Sequence, residues 1–166
     1  MEPKFVTLPA IKIAGYELKT RNDGENSKAI PAFWEKYLIE GMAKKLHSEE
    51  FVKNHSEYGA CFGIDPETDE STYVIGVEIK ENAKIGSEYY TCKIPPATYA
   101  VFRTPPAKGN EFSISIQSTW QFIWNEWFQK SGYEYAKDGV EFELYNDDDM
   151  QEDNMICEIH IPIVKK

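Results

Sequence analysis

A chain of 166 residues, 42% hydrophobic and 14% aromatic, has the material to bury one continuous core, so residues 1–166 are expected to form a single domain. Its formal charge of -10 and pI near 4.8 repel a phosphate backbone over the whole surface, and without a Lys/Arg stripe to offset that repulsion direct nucleic-acid binding is excluded. No run approaches the ~20 apolar residues that span a bilayer, and the opening Met1-Glu-Pro-Lys lacks the basic-then-apolar order of a secretory signal.

In chain order, residues 5–19 read as strand. Ile30-Pro31 then opens a helical pattern in which Ile30, Trp34, Tyr37, Leu38, Gly41, Met42 and Leu46 recur at spacings of three and four. Strand-like runs follow at 58–64 and 72–79, joined by the turn-rich stretch 65–70, and a third lies at 89–102. A second helix carries Ile116, Trp120, Ile123, Trp124, Trp127 and Phe128 on one face, with Ser113 or Ser115 as N-cap and Gly132 as stop. Strands at 140–145 and 155–164, linked by an Asp-rich turn, complete the chain.

The order is β-α-β-β twice, and the halves also align by residue. At an offset of 86 Tyr16 meets Phe102, Ile30 meets Ile116 and Trp34 meets Trp120; at 82, Asp65 meets Asp147 and Ile75-Gly-Val77 meets Cys157-Glu-Ile159. The repeats are drawn at about 1–82 and 83–166. The fold class expected is therefore α+β: a duplicated β-α-β-β unit forming an antiparallel sheet, with two helices on one face and a ligand groove between the repeats on the other.

Side chains alternate across a strand, so Val140, Phe142 and Leu144 face one way and Glu141, Glu143 and Tyr145 the other. The odd positions from Met155 to Ile163 form an apolar row suited to lie under helices, which puts Glu158, His160 and Pro162 opposite. If these strands are antiparallel neighbours, Glu143, Tyr145, Glu158 and His160 gather within one or two strand spacings of ~4.8 Å. At the second offset the first-half equivalents of Glu143, Tyr145 and Glu158 are Cys61, Gly63 and Gly76, all small. One half would supply acids and a ring, the other space. A sheet face turned to water needs no function, but Gly63 and Gly76 on this face argue for close approach of another group. The three histidines lack metal-ligand spacing and there is no CxxC pair, so no metal or cofactor is expected. The odd, isolated Cys61, Cys92 and Cys157 read as reduced thiols of a cytoplasmic protein.

The duplicated order, the first strands Pro9-Ala-x-x-x-Ala-Gly-Tyr16 and Pro96-Ala-Thr-Tyr-Ala-Val-Phe102, the segment Phe142-Glu-Leu-Tyr145 and the terminal Glu158-Ile-His-Ile-Pro162 resemble the GyrI-like effector-binding domain over nearly the whole chain. That domain is the drug-sensing half of AraC-type and MerR-type multidrug regulators and also occurs alone. The resemblance implies a stand-alone sensor or sequestering protein whose pocket holds small lipophilic cations, with Glu143 and Glu158 as its carboxylates. His160 stands where the family has a tyrosine, and a protonated imidazole there would oppose a cation. Two alternatives follow from stand-alone relatives. One is a hydrolase of strained, cyclopropane-bearing genotoxins using Glu143 and Glu158 as acid and base. The other is a gyrase-inhibitor-like module acting on a protein partner, which requires a continuous acidic stripe; the acids at 67–70 and 147–153 look instead like separate loop tips.

Overall fold

In the computed structural model of the chain, which describes residues 1–21 and 26–166, the first half runs β1 (Lys4–Leu8), β2 (Ile11–Arg21), α1 (Asn26–Ile39), α2 (Met42–His47), β3 (Val52–Phe62) and β4 (Glu70–Ile79). The second half runs β5 (Tyr90–Ile94), β6 (Ala97–Arg103), α3 (Glu111–Phe122), β7 (Tyr133–Tyr135), β8 (Glu141–Tyr145), the short hairpin β9 (Met150–Gln151) and β10 (Asn154–Met155), and β11 (Glu158–Lys165). The fold is α+β, and β2-α1-β3-β4 and β6-α3-β8-β11 are its two β-α-β-β units, antiparallel throughout.

Two of the three strand-like runs that contain proline are cut by it, whereas Pro162 stays inside β11. Proline has no N–H for the ladder, so the run at 5–19 breaks at Pro9-Ala10 and the run at 89–102 breaks at Pro95-Pro96. The pieces then pair separately: β1 runs against β6, Lys4 opposite Val101 through Leu8 opposite Ala97, and β5 runs against β2, Ile11 opposite Ile94. The chain thus divides into two compact units, residues 11–94 and residues 1–10 with 95–166. Strand order is β3-β4-β2-β5 in the first and β8-β11-β6-β1 in the second, where β7 also pairs with β11.

The helices depart from the sequence pattern at three points. The first helix begins at Asn26 rather than Ile30, and it ends before Gly41, whose φ of 75° lies in the left-handed region and separates α1 from α2. Asn110, not Ser113 or Ser115, precedes α3, and the Ser115 hydroxyl donates instead to the Pro105 carbonyl at 2.6 Å. Beyond Phe122 the helix opens into a π turn over Ile123–Trp127, and this wider turn rotates the following side chains. Trp124 therefore sits 43% exposed against Phe128 and Tyr135, outside the buried row to which 3.6-residue spacing assigns it.

Each unit has its own core between helix and sheet. In residues 11–94, Phe33 and Tyr37 of α1 pack on Ala14, Tyr73, Ile75 and Val77; in the other unit Phe112, Ile123 and Phe128 pack on Ala100, Phe102, Ile159 and Ile161. Burial of each large apolar side chain contributes about 1.5–3 kcal/mol.

Candidate functional site

Register decides which side chains meet. On β8 and β11, Leu144 lies opposite Glu158, Glu143 opposite Ile159 and Phe142 opposite His160, and directly opposed residues share a face. Glu143 and Tyr145 therefore lie with Ile159 on the helix-covered face, while Glu158 and His160 lie on the other. The expected gathering of Glu143, Tyr145, Glu158 and His160 is corrected into two pairs. The alternation misled because this sheet is buried on both sides: Phe142, Tyr99 and His160 are as buried as the row under the helix.

The same ladders correct the internal alignment. Tyr16 lies opposite Ile75 and Phe102 opposite Ile159, so matching Tyr16 to Phe102 matches Ile75 to Ile159, an offset of 84 rather than 82. Carried across β3 and β8, Gly59 corresponds to Glu143, Cys61 to Tyr145 and Glu57 to Glu141, and Gly76 corresponds to His160. Neither predicted glycine marks room for a ligand. Gly76 faces Gly15 across the ladder, where an added Cβ would stand 2.7 Å from the Ala14 carbonyl oxygen, and Gly63 is exposed with nothing near it. Cys61 packs against the core of residues 11–94.

Around Glu143 the helix and strand converge. The Trp120 indole N–H on α3 donates to Glu143 Oε1 at 3.0 Å, and the Tyr145 hydroxyl donates to Oε2. Phe112 stacks on Tyr145 at 6.3 Å. Burial raises the Glu143 carboxyl, and these two donors partly offset it. Two residues earlier on the same face stands Glu141, which sequence reasoning did not single out. Its carboxyl is pushed up to about 7, chiefly by burial and then by the Glu143 charge, and its Oε2 is buried without a hydrogen-bond partner. The signal that finds it is its match to Glu57, visible only at the corrected offset. Glu57 accepts from the Tyr37 hydroxyl and pairs with His47 Nε2 at 3.2 Å. The helix position matched to Tyr37 is Ile123, which has no donor to give.

On the other face the predicted residues are engaged. Glu158 binds Arg103 at 3.0 Å and Asn146 at 3.0 Å, and Arg103 also forks onto Asp149 at 2.9 and 3.2 Å. His160 is 5% exposed, stacked on Phe142 at 4.3 Å and edge-on to Tyr99. Burial pushes its imidazole down to about 4 against the raising charge of Glu158, so it is neutral at pH 7 and puts no positive charge in the site. Clefts of about 640 and 390 Å³ lie within residues 11–94, and none of the seven sequence-nominated residues lines either. Among the described residues no group of three His, Cys, Asp or Glu is arranged to hold a metal ion, and no helix is long and apolar enough to cross a membrane.

The duplicated β-α-β-β fold is that of the GyrI-like effector-binding domains. The chain belongs to the family Cass2, described as integron-associated effector binding protein, whose profile matches residues 4–163. The structure of SAV2435 bound to tetraphenylphosphonium is similar with a TM-score of 0.81 at 21% identity, over 99% of this chain and 94% of that one. A putative transcription regulation protein from Staphylococcus aureus MU50 gives 0.77 at 21% identity over 98% of both chains. The integron cassette protein VCH_CASS2 from Vibrio cholerae gives 0.62 at 19% identity over 98% of this chain and 96% of that one. No curated protein matches the chain.

Proposed function

We propose that the chain binds small lipophilic cations at the acid pair Glu141 and Glu143, walled by Trp120, Tyr145 and Phe112, as a sensor or sequestering protein. The observation that carries this reading is the unpartnered Glu141 Oε2 beside a second carboxylate whose two oxygens already have donors. A buried acid pair that retains an open acceptor favours a positive charge, since an organic cation ~4 Å away gains about 4 kcal/mol at an effective dielectric of 20. Contact with an aromatic face adds about 0.5–2 kcal/mol. Glu158, held by Arg103, has less to offer a ligand. Tetraphenylphosphonium, the ligand named for SAV2435, is the natural probe.

Titration with tetraphenylphosphonium at pH 8 tests the reading. Glu143→Gln and Glu141→Gln should each weaken binding about tenfold or more, as expected for a charged partner worth about 1.5–3 kcal/mol. Glu57→Gln should leave it unchanged. Because the bound cation favours ionised Glu141, wild-type affinity should climb from pH 6 to 8 and that climb should be smaller in Glu141→Gln. Equal affinities for all four proteins would refute the assignment.

A further inference from the structure

The cleft of about 640 Å³ in residues 11–94 is lined by lysines where the other site offers acids. On β2 the residues that face the helices are Ala14 and its neighbours two apart, which puts Lys12 on that face; β5 places Lys93 directly opposite Lys12. Ala14 lies opposite Val77 on β4, so Ile79 also shares the face. The connection at 80–89 adds Lys80, Ile85 and Ser87 to the lining. In a chain with 28 acids and 18 bases, three lysines and no Asp or Glu line the cleft, so its composition runs against the protein's own surface. Lys19 and Lys53 pair with carboxylates, whereas no ion pair among the described residues holds Lys12, Lys80 or Lys93. Like charges directly opposite on adjacent strands destabilise a sheet unless a counter-charge sits between them.

We propose that this cleft is a second binding site, for a small organic anion: an apolar body resting on Ile79 and Ile85 with a carboxylate or sulfonate held between Lys12 and Lys93. Its volume suits one drug-sized molecule. Thr91, on the same strand face as Lys93, supplies a hydroxyl donor beside the ammonium groups. The site is independent of the acid pair and selects the opposite charge.

The test compares 1-anilinonaphthalene-8-sulfonate with N-phenyl-1-naphthylamine, the same ring system without the sulfonate, by fluorescence titration of the full chain. Lys12→Gln/Lys93→Gln should weaken sulfonate binding about tenfold, leave the uncharged analogue unchanged, and leave tetraphenylphosphonium binding as it was. Without ligand the double variant should melt no lower than wild type, since a repulsion has been removed. Raising salt from about 0.02 to about 0.5 M should weaken sulfonate binding to wild type, which tests the charge without any substitution. Equal sulfonate affinity in wild type and variant, a salt-independent affinity, or an uncharged analogue that binds wild type as tightly as the sulfonate would each overturn the proposal. Failure of tetraphenylphosphonium to bind any of the proteins would count against the acid-pair reading alone.

Discussion

Residues 11–94 and residues 95–166 solve the same packing problem with different acceptors. In the first unit the Trp34 indole N–H donates to the Tyr73 hydroxyl at 2.8 Å, which reaches across from β4 into the space left by Gly59. In the second the matched Trp120 donates to a carboxylate at the place matched to that glycine, Glu143. One position further along the same face, Glu57 is held by Tyr37 and His47, while its counterpart Glu141 keeps an oxygen unpartnered. A duplicated scaffold has thus kept its tryptophans and its acid but closed the polar network in one copy and left it open in the other. On the proposed reading, the open copy is where a ligand completes the network.

The largest effect that sharpens this contrast is in the pH dependence of stability. Glu141 titrates near 7 in the fold and near 4.5 when unfolded, so the folded chain holds the extra proton between those values and stability is lost as pH rises through them. His160 works in the other direction: its folded value near 4 lies below the unfolded 6.5, so stability is lost as pH falls through that window. Each contributes up to about 3 kcal/mol, with opposite signs. Between pH 4.5 and 6.5 the slope of the urea midpoint against pH should therefore become more positive than in wild type in Glu141→Gln and more negative in His160→Phe. Parallel profiles for the three proteins would break the assignment of an open acid to this unit.

A smaller effect is expected at Gly59, where an added Cβ would lie 2.2 Å from the Tyr73 hydroxyl. Gly59→Ala should lower stability by about 1–3 kcal/mol, and Tyr73→Phe in the same chain should recover most of that loss, read from thermal melts. Smallest is the pair of tryptophan truncations. Trp120→Phe strips a donor from a carboxylate and should remove about 1 kcal/mol more hydrogen-bond stabilisation than Trp34→Phe, which strips one from a neutral hydroxyl. Equal losses would mean that the two networks carry the same charge.

The element order, the duplicated unit, Gly132 as the helix stop and the common face of Glu143 and Tyr145 were legible because each rests on local pattern. What the pattern left open has physical sources that can be named. Side-chain direction repeats every two residues, so sliding one repeat by two keeps every residue on its face and only ladder hydrogen bonds separate offset 82 from 84. That slip hid the match of Glu57 to Glu141. In the same way, a β11 buried on both faces gives no cue as to which side of it Glu158 and His160 take. The π turn after Phe122, which brings Trp124 outward, leaves no mark in residue spacing at all.

The pairing of β1 with β6 bears on how the chain can be cut. A fragment of residues 83–166 would keep β6 but lose the strand that covers its outer edge, leaving a row of bare backbone N–H and C=O groups that invites self-association. Residues 11–94, one of the two compact units, keep the pairings β3-β4, β4-β2 and β2-β5 among themselves.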